Sequence, residues 1–189
     1  MKIPTVVTVL LSTGIIFSST NVLTAKAVQF PDGRVAFDKS PLLRNAISTF
    51  NTVRAWGATY YFTIELPADA GEPLQKIVIN QRRGADDISF RLERTVAYNG
   101  TRRNKQEQLT LETVSQDEET EAITVNFAEP IPPGTIFTVG LKPRRNPDFD
   151  GIYLFGVTAF PTGEKPDGLY LGVGRLQFFR GDGDGFVDP

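Results

Sequence analysis

The stretch WGATYYFTIEL, from Trp56 to Leu66, alternates without a break. Trp56, Ala58, Tyr60, Phe62, Ile64 and Leu66 fall on one side, and Gly57, Thr59, Tyr61, Thr63 and Glu65 on the other. Only an extended strand puts every second side chain on one face, so this period predicts a strand with one face on a core and the other towards water. The pattern recurs. Ile77 and Ile79 alternate with polar neighbours, as do Ile88, Phe90 and Leu92, then Ile123, Val125 and Phe127, then Phe137, Val139 and Leu141. The last of these follows Pro132-Pro133-Gly134, residues that preset a turn, and stops at Pro143, which lacks the N–H a ladder needs. GIYLFGVTAF (151–160) and GLYLGVGRLQFF (168–179) are apolar on both faces, as expected of central strands covered on both sides. Loops rich in Gly, Pro, Asn and Asp separate the segments, among them PADAGEP, RRGADD and RRNPDFDG. Short strands with such turns predict one all-β domain over residues 28–179, an antiparallel, immunoglobulin-like β-sandwich of seven to nine strands. SPLLRNAISTFNTV (40–53) stays open between a short helix, with Ser40 and Pro41 at its start, and an irregular edge strand.

The amino-terminal segment predicts the compartment. Lys2, a mostly apolar run from Ile3 to Phe17 and the small-x-small site Ala25-Lys26-Ala27 have the layout of a secretory signal peptide, residues 1–27, cleaved after Ala27. The apolar run is well short of the ~20 residues that cross a bilayer, and no second long one follows, so the mature chain is expected to have no transmembrane segment. Two of the 20 basic residues, Lys2 and Lys26, leave with the signal. The remaining 162 residues carry 18 basic against 22 acidic side chains, a formal charge of −4. That balance argues against nucleic acid as a partner, since neutralising phosphates takes net positive charge.

The chain contains no cysteine and no histidine. Disulfides, thiol nucleophiles, iron–sulfur clusters and Ser-His-Asp triads are therefore excluded, as are zinc sites of the usual nitrogen and sulfur kind. Paired carboxylates can cleave glycosides without histidine, but nothing in the sequence sets two of them across a cleft. Lys39 and Ser40 are neighbours, and neighbours on an extended chain point to opposite faces. No cofactor and no enzymatic activity are expected.

GRVAF, SPLL, GATYYFTIELPADAGEPLQKIVINQ, PIPPGTIFTVGLKPRRNPDFDGIYLFGVTAFPTG and GLYLGVGRLQFF together resemble the cyanobacterial exported proteins grouped as a domain of unknown function, DUF 2808. The resemblance runs from about Val28 to Phe179. It implies an exported protein of the periplasm, cell envelope or thylakoid lumen, and it supplies no activity and no catalytic positions. The tail RGDGDGFVDP (180–189), acidic and glycine-rich, lies beyond it and is expected to be flexible.

Three groups of residues are candidates for binding. Asp182, Asp184 and Asp188 alternate with glycine like the start of an oxygen-ligand calcium loop, although Phe186 stands where a third ligand is needed and the chain ends before a bidentate Glu. Paired guanidinium groups grip phosphate, sulfate or carboxylate, and Arg82-Arg83, Arg102-Arg103 and Arg144-Arg145 are such pairs. In an up-and-down strand order Arg82, Arg83, Arg144 and Arg145 share one end of the sandwich, together with the acidic DEET loop from Asp117, and Arg102-Arg103 lie at the other. Trp56, Tyr60 and Tyr61 are candidates for a sugar platform, but only Tyr61 is expected to point outward. The functional expectation is a non-catalytic exported module that binds or supports an envelope or lumenal protein. The alternative is a binder of an anionic or carbohydrate ligand through the arginine loops.

Overall fold

The computed structural model of the chain describes residues 28–29 and 33–181. The alternating stretch becomes a strand, but only from Tyr60. In chain order the strands are β1 (Val28–Gln29), β2 (Arg34–Ala36), β3 (Leu42–Ser48), β4 (Tyr60–Glu65), β5 (Leu74–Arg83), β6 (Val96–Thr101), β7 (Asn104–Gln108), β8 (Leu111–Gln116), β9 (Ile123–Ile131), β10 (Ile136–Leu141), β11 (Gly151–Pro161), β12 (Lys165–Pro166) and β13 (Leu169–Phe178). One five-stranded sheet has the order β3-β4-β10-β6-β7 and the other β13-β11-β5-β9-β8, and every pairing within them is antiparallel. The fold is the expected all-β, immunoglobulin-like sandwich, with ten strands in its two sheets rather than seven to nine. A small third sheet, β1-β2-β12, includes the parallel pair β2–β12. Among the described residues no helix is long and apolar enough to cross a membrane.

The core lies between the two large sheets. Tyr60, Phe62 and Ile64 of β4 and Phe137, Val139 and Leu141 of β10 meet Ile77, Val125, Phe127, Tyr153, Phe155 and Phe178 of the other sheet, all essentially solvent-free. Rings interlock edge to face across the gap, as in Phe62–Phe155 at 5.8 Å and Phe127–Phe137 at 5.5 Å between centroids. With no disulfide available, this burial carries the stability, at roughly 1.5–3 kcal/mol for each large side chain removed from water. The edge strands β3 and β13 close one side, and Gly174 is what lets them approach. A Cβ there would lie 2.6 Å from that of Ala46.

Four expectations need correction or completion. Residues 42–48 form the edge strand β3 and not a helix, because their inward side chains, such as Ala46, complete the core beside β4. Trp56 is not in the core. It is 68% exposed, since Gly57 at φ +78° turns the chain before β4 begins. Tyr61 and Thr63 do not face water, because Tyr98, Thr138 and Lys105 from neighbouring strands cover them. The Tyr61 and Tyr98 rings pack at 6.3 Å, the Lys105 ammonium sits 4.9 Å from the Tyr98 ring centre, and the Thr63 and Thr138 hydroxyls bond at 2.9 Å. The doubly apolar strands β11 and β13 are not sealed on both faces. β13 is an edge strand, and on the outer face Ile152 of β11 and Tyr170 and Val173 of β13 are close to half exposed, while Leu154, Thr158 and Phe160 of β11 are half-buried.

Candidate functional site

The loops after β3, β5, β8 and β10 gather at one end of the sandwich, and a buried polar network ties three of them together. Asn146, 1% exposed, accepts a hydrogen bond from the Tyr60 hydroxyl (3.0 Å) through Oδ1. Its Nδ2 donates to the carbonyls of Phe50 (2.9 Å) and Thr52 (2.8 Å). The backbone adds Asn146 N–H to Ala55 and Arg54 N–H to Pro147, both at 2.9 Å. Beside it, the Asp86 carboxylate accepts from the Tyr153 hydroxyl and from the Asp148 N–H (2.9 Å). Burial, and then the carboxylate that holds its proton, push the Tyr153 phenol far above its usual range. Burial does the same to Tyr60, with Tyr153 and Asp86 adding to it.

A cavity of about 240 Å³ opens between these loops, lined by Asp86, Asp87, Ser89, Arg144, Arg145 and Asp148 among others. Arg145 is held by Asp148 at 2.8 Å, and Arg54 reaches the same carboxylate at 3.3 Å. Arg144 is fixed by its backbone, whose N–H donates to Ser89 O, and no carboxylate lies within ion-pair distance of its side chain among the described residues. Arg82 and Arg83 end β5 at the same end of the molecule but do not line the cavity. Arg82 lies on the outer sheet face, with its guanidinium 5.9 Å from the Tyr170 ring centre. Asp117 at this end turns inward on its own loop. It accepts from Thr120 Oγ1 and from the N–H groups of Thr120 and Glu119, which hold its carboxyl below the ordinary value. Arg102-Arg103 form the β6–β7 turn at the opposite end. The calcium candidates Asp182, Asp184 and Asp188 and the cleavage site Ala27 lie outside the described residues.

The outer face of the β13-β11-β5 half-sheet had no counterpart among the sequence candidates. Register places Ile152, Leu154, Gly156 and Thr158 of β11 beside Gln177, Arg175, Val173 and Tyr170 of β13, pointing away from the core. Ile152 is 44% exposed, Val173 47% and Tyr170 48%. Cations frame this apolar area: Arg82 against Tyr170, and Lys76 with its ammonium 4.5 Å from the Phe160 ring centre. Its signal in the sequence is the apolar character of both segments on both faces, a pattern that also predicts a buried strand.

No curated protein matches the chain. Solved structures similar to it include the collagen-binding domain of a Staphylococcus aureus adhesin, at 8% identity over 65% of this chain and 87% of that one, TM-score 0.36. The collagen-binding subdomain of the Enterococcus faecalis surface protein ACE is 8% identical over 74% of this chain and 98% of its own, TM-score 0.43. A non-cellulosomal cohesin from the archaeon Archaeoglobus fulgidus is 11% identical over 77% and 95%, TM-score 0.32. Scores this low carry no function from one sandwich to another. The model of one protein family, described as "Protein of unknown function (DUF2808)", matches residues 34–178, and the chain belongs to that family.

Proposed function

We propose that this chain is an exported, non-catalytic binding module whose partner is a protein of the cyanobacterial cell envelope or thylakoid lumen. The observation that carries the reading is the open outer face of β11 and β13, where Val173 and Tyr170 at one end and Ile152 at the other are each close to half exposed, with Leu154 and Arg175 between them. A sheet face of this composition gains by leaving water, and contiguous apolar area rimmed by polar groups is the usual mark of a contact site. Arg82, Arg175 and Lys76 around it set the partner's chemistry: an apolar surface edged with carboxylates. Export rests on the signal-like segment 1–27, and the cyanobacterial origin on the resemblance of its motifs. A ligand site built from Arg82, Arg83, Arg144 and Arg145 has less behind it. The four do not converge, and Asp86, Asp87 and Asp148 share the cavity with Arg144 and Arg145, where they oppose an anion.

The test compares cross-linked co-purification of the wild-type protein with Val173→Glu and Ile152→Glu, using Ser115→Glu on β8, at the far edge of the sheet, as control. The reading expects one acidic-surfaced protein captured by wild type and control, and lost with both face variants. Capture that ignores the face variants would overturn it, and so would sedimentation showing that the face only joins two copies of this chain.

A further inference from the structure

We propose that the mouth of the sandwich beside Asn99, at the end opposite the Asn146 network, binds a neutral saccharide. Asn99 is paired with Phe137 on β10, so its side chain lies on the inner face of the sheet with Ala97 and Val139. An amide there requires partners, yet its Oδ1 is buried and accepts no hydrogen bond among the described residues. A buried acceptor without a donor is costly, so native structures rarely leave one unless a donor arrives from outside. Asn99 and Thr135 line two adjoining clefts, of about 360 and 430 Å³, between the β6–β7 hairpin, the β7–β8 crossover and the β9–β10 turn. Each has the size of an ordinary small-molecule site.

The lining decides the ligand class. Asn104 and Gln106 on one side, and Gln108 and Thr110 on the other, are groups that both donate and accept. Sugar hydroxyls do both as well. Among the described residues no lysine or arginine lines either cleft, and Glu107 and Glu129 stand in one of them, so an anion is opposed. A cationic side chain would satisfy the two carboxylates but has no lone pair for the amide and hydroxyl donors, which would stay unpaired. Pro130 and Pro132 at the rim offer apolar surface for the C–H face of a sugar ring. This site is distinct from the open face of β11 and β13 and does not depend on it.

The experiment is an NMR titration of the isotope-labelled protein with cellotetraose, maltotetraose and tetra-N-acetylchitotetraose, with tetralysine as the cationic probe. One of the tetrasaccharides is expected to shift the Asn99 side-chain amide and the Gln108 and Thr135 resonances saturably. Asn99→Leu removes the stranded carbonyl, so it should abolish that binding and raise the unfolding midpoint. Glu112→Gln on β8, outside the lining of both clefts, should retain saccharide binding. If Asn99→Leu does not fold, Thr135→Val takes its place and should weaken binding about tenfold, roughly one lost hydrogen bond. The proposal is overturned if no tetrasaccharide moves those resonances, if only tetralysine does, or if saccharide binding is unchanged in Asn99→Leu or, where that variant does not fold, in Thr135→Val.

Discussion

Replacing Asn146 by alanine strands two groups at once. The Tyr60 hydroxyl, in a fully buried side chain, loses its acceptor and the Thr52 carbonyl loses its donor, while the Phe50 carbonyl loses one of two donors and keeps the Ser48 hydroxyl. An unsatisfied buried polar group costs about 1–3 kcal/mol. The hydroxyl falls within that range, and the partly buried carbonyls recover some of their loss from water. Asn146→Ala should therefore destabilise the fold by about 3 kcal/mol, a large share of the roughly 5–15 kcal/mol that holds a domain together. Tyr60→Phe alone strands only the Asn146 carbonyl and should cost about 1–2 kcal/mol. In the double variant neither orphan exists, so its cost should fall short of the sum by about 1 kcal/mol. Urea unfolding followed by far-ultraviolet circular dichroism measures all three, and the fluorescence of Trp56, the one tryptophan of the chain, reports on the 50–56 loop that Asn146 latches. A loss under about 1 kcal/mol for Asn146→Ala, or strict additivity in the cycle, would refute the reasoning, because water would then be satisfying these groups in the native state.

Two further outcomes follow from the packing. Tyr60, Tyr98 and Tyr153 all have phenols raised above the ordinary value of 10.0, by burial first in each case. Since the folded values lie above the unfolded one, their contribution is fully present below pH 10 and is lost as the pH climbs towards the folded values, at about 1.4 kcal/mol per pH unit for each phenol held neutral. Phenolate absorbance in an alkaline titration should show these three of the five tyrosines ionising only as the protein unfolds; early titration of all five would contradict it. Gly174→Val should cost about 1–3 kcal/mol by forcing β3 away from β13, because the new Cβ meets Ala46 at 2.6 Å and Phe62 at 3.1 Å. An unchanged thermal midpoint would mean that this corner yields freely.

Local periodicity fixed several strands but not 88–92, where the same alternation yields a single bridge at Phe90 and a 3-10 turn over Leu92–Arg94, and pairing fixed what each face touches. The period of two in 60–66, 123–127 and 137–141 was sufficient to assign strands, because side-chain alternation is a property of the extended backbone alone. The missing cysteine and histidine likewise removed whole classes of chemistry before any fold was known. Tyr61 and Ile152 show the limit. Tyr61 looked exposed and is sealed by Tyr98 and Lys105, while Ile152 looked buried and is open. Which outer face is covered depends on strands distant in sequence, and nothing in a strand's own period records its neighbours. Trp56 failed for a local reason, the turn at Gly57, which alternation alone does not register. Asn146 and Asn99 were illegible for a further reason. A buried amide in a loop or strand reads like any other polar residue until the third dimension shows its partners, or, at Asn99, the absence of one. The sequence by itself determined an all-β chain without thiol or imidazole chemistry. Only the tertiary structure decided where polar groups are buried and where apolar ones are bare, because those are consequences of contacts between segments and not of any segment alone.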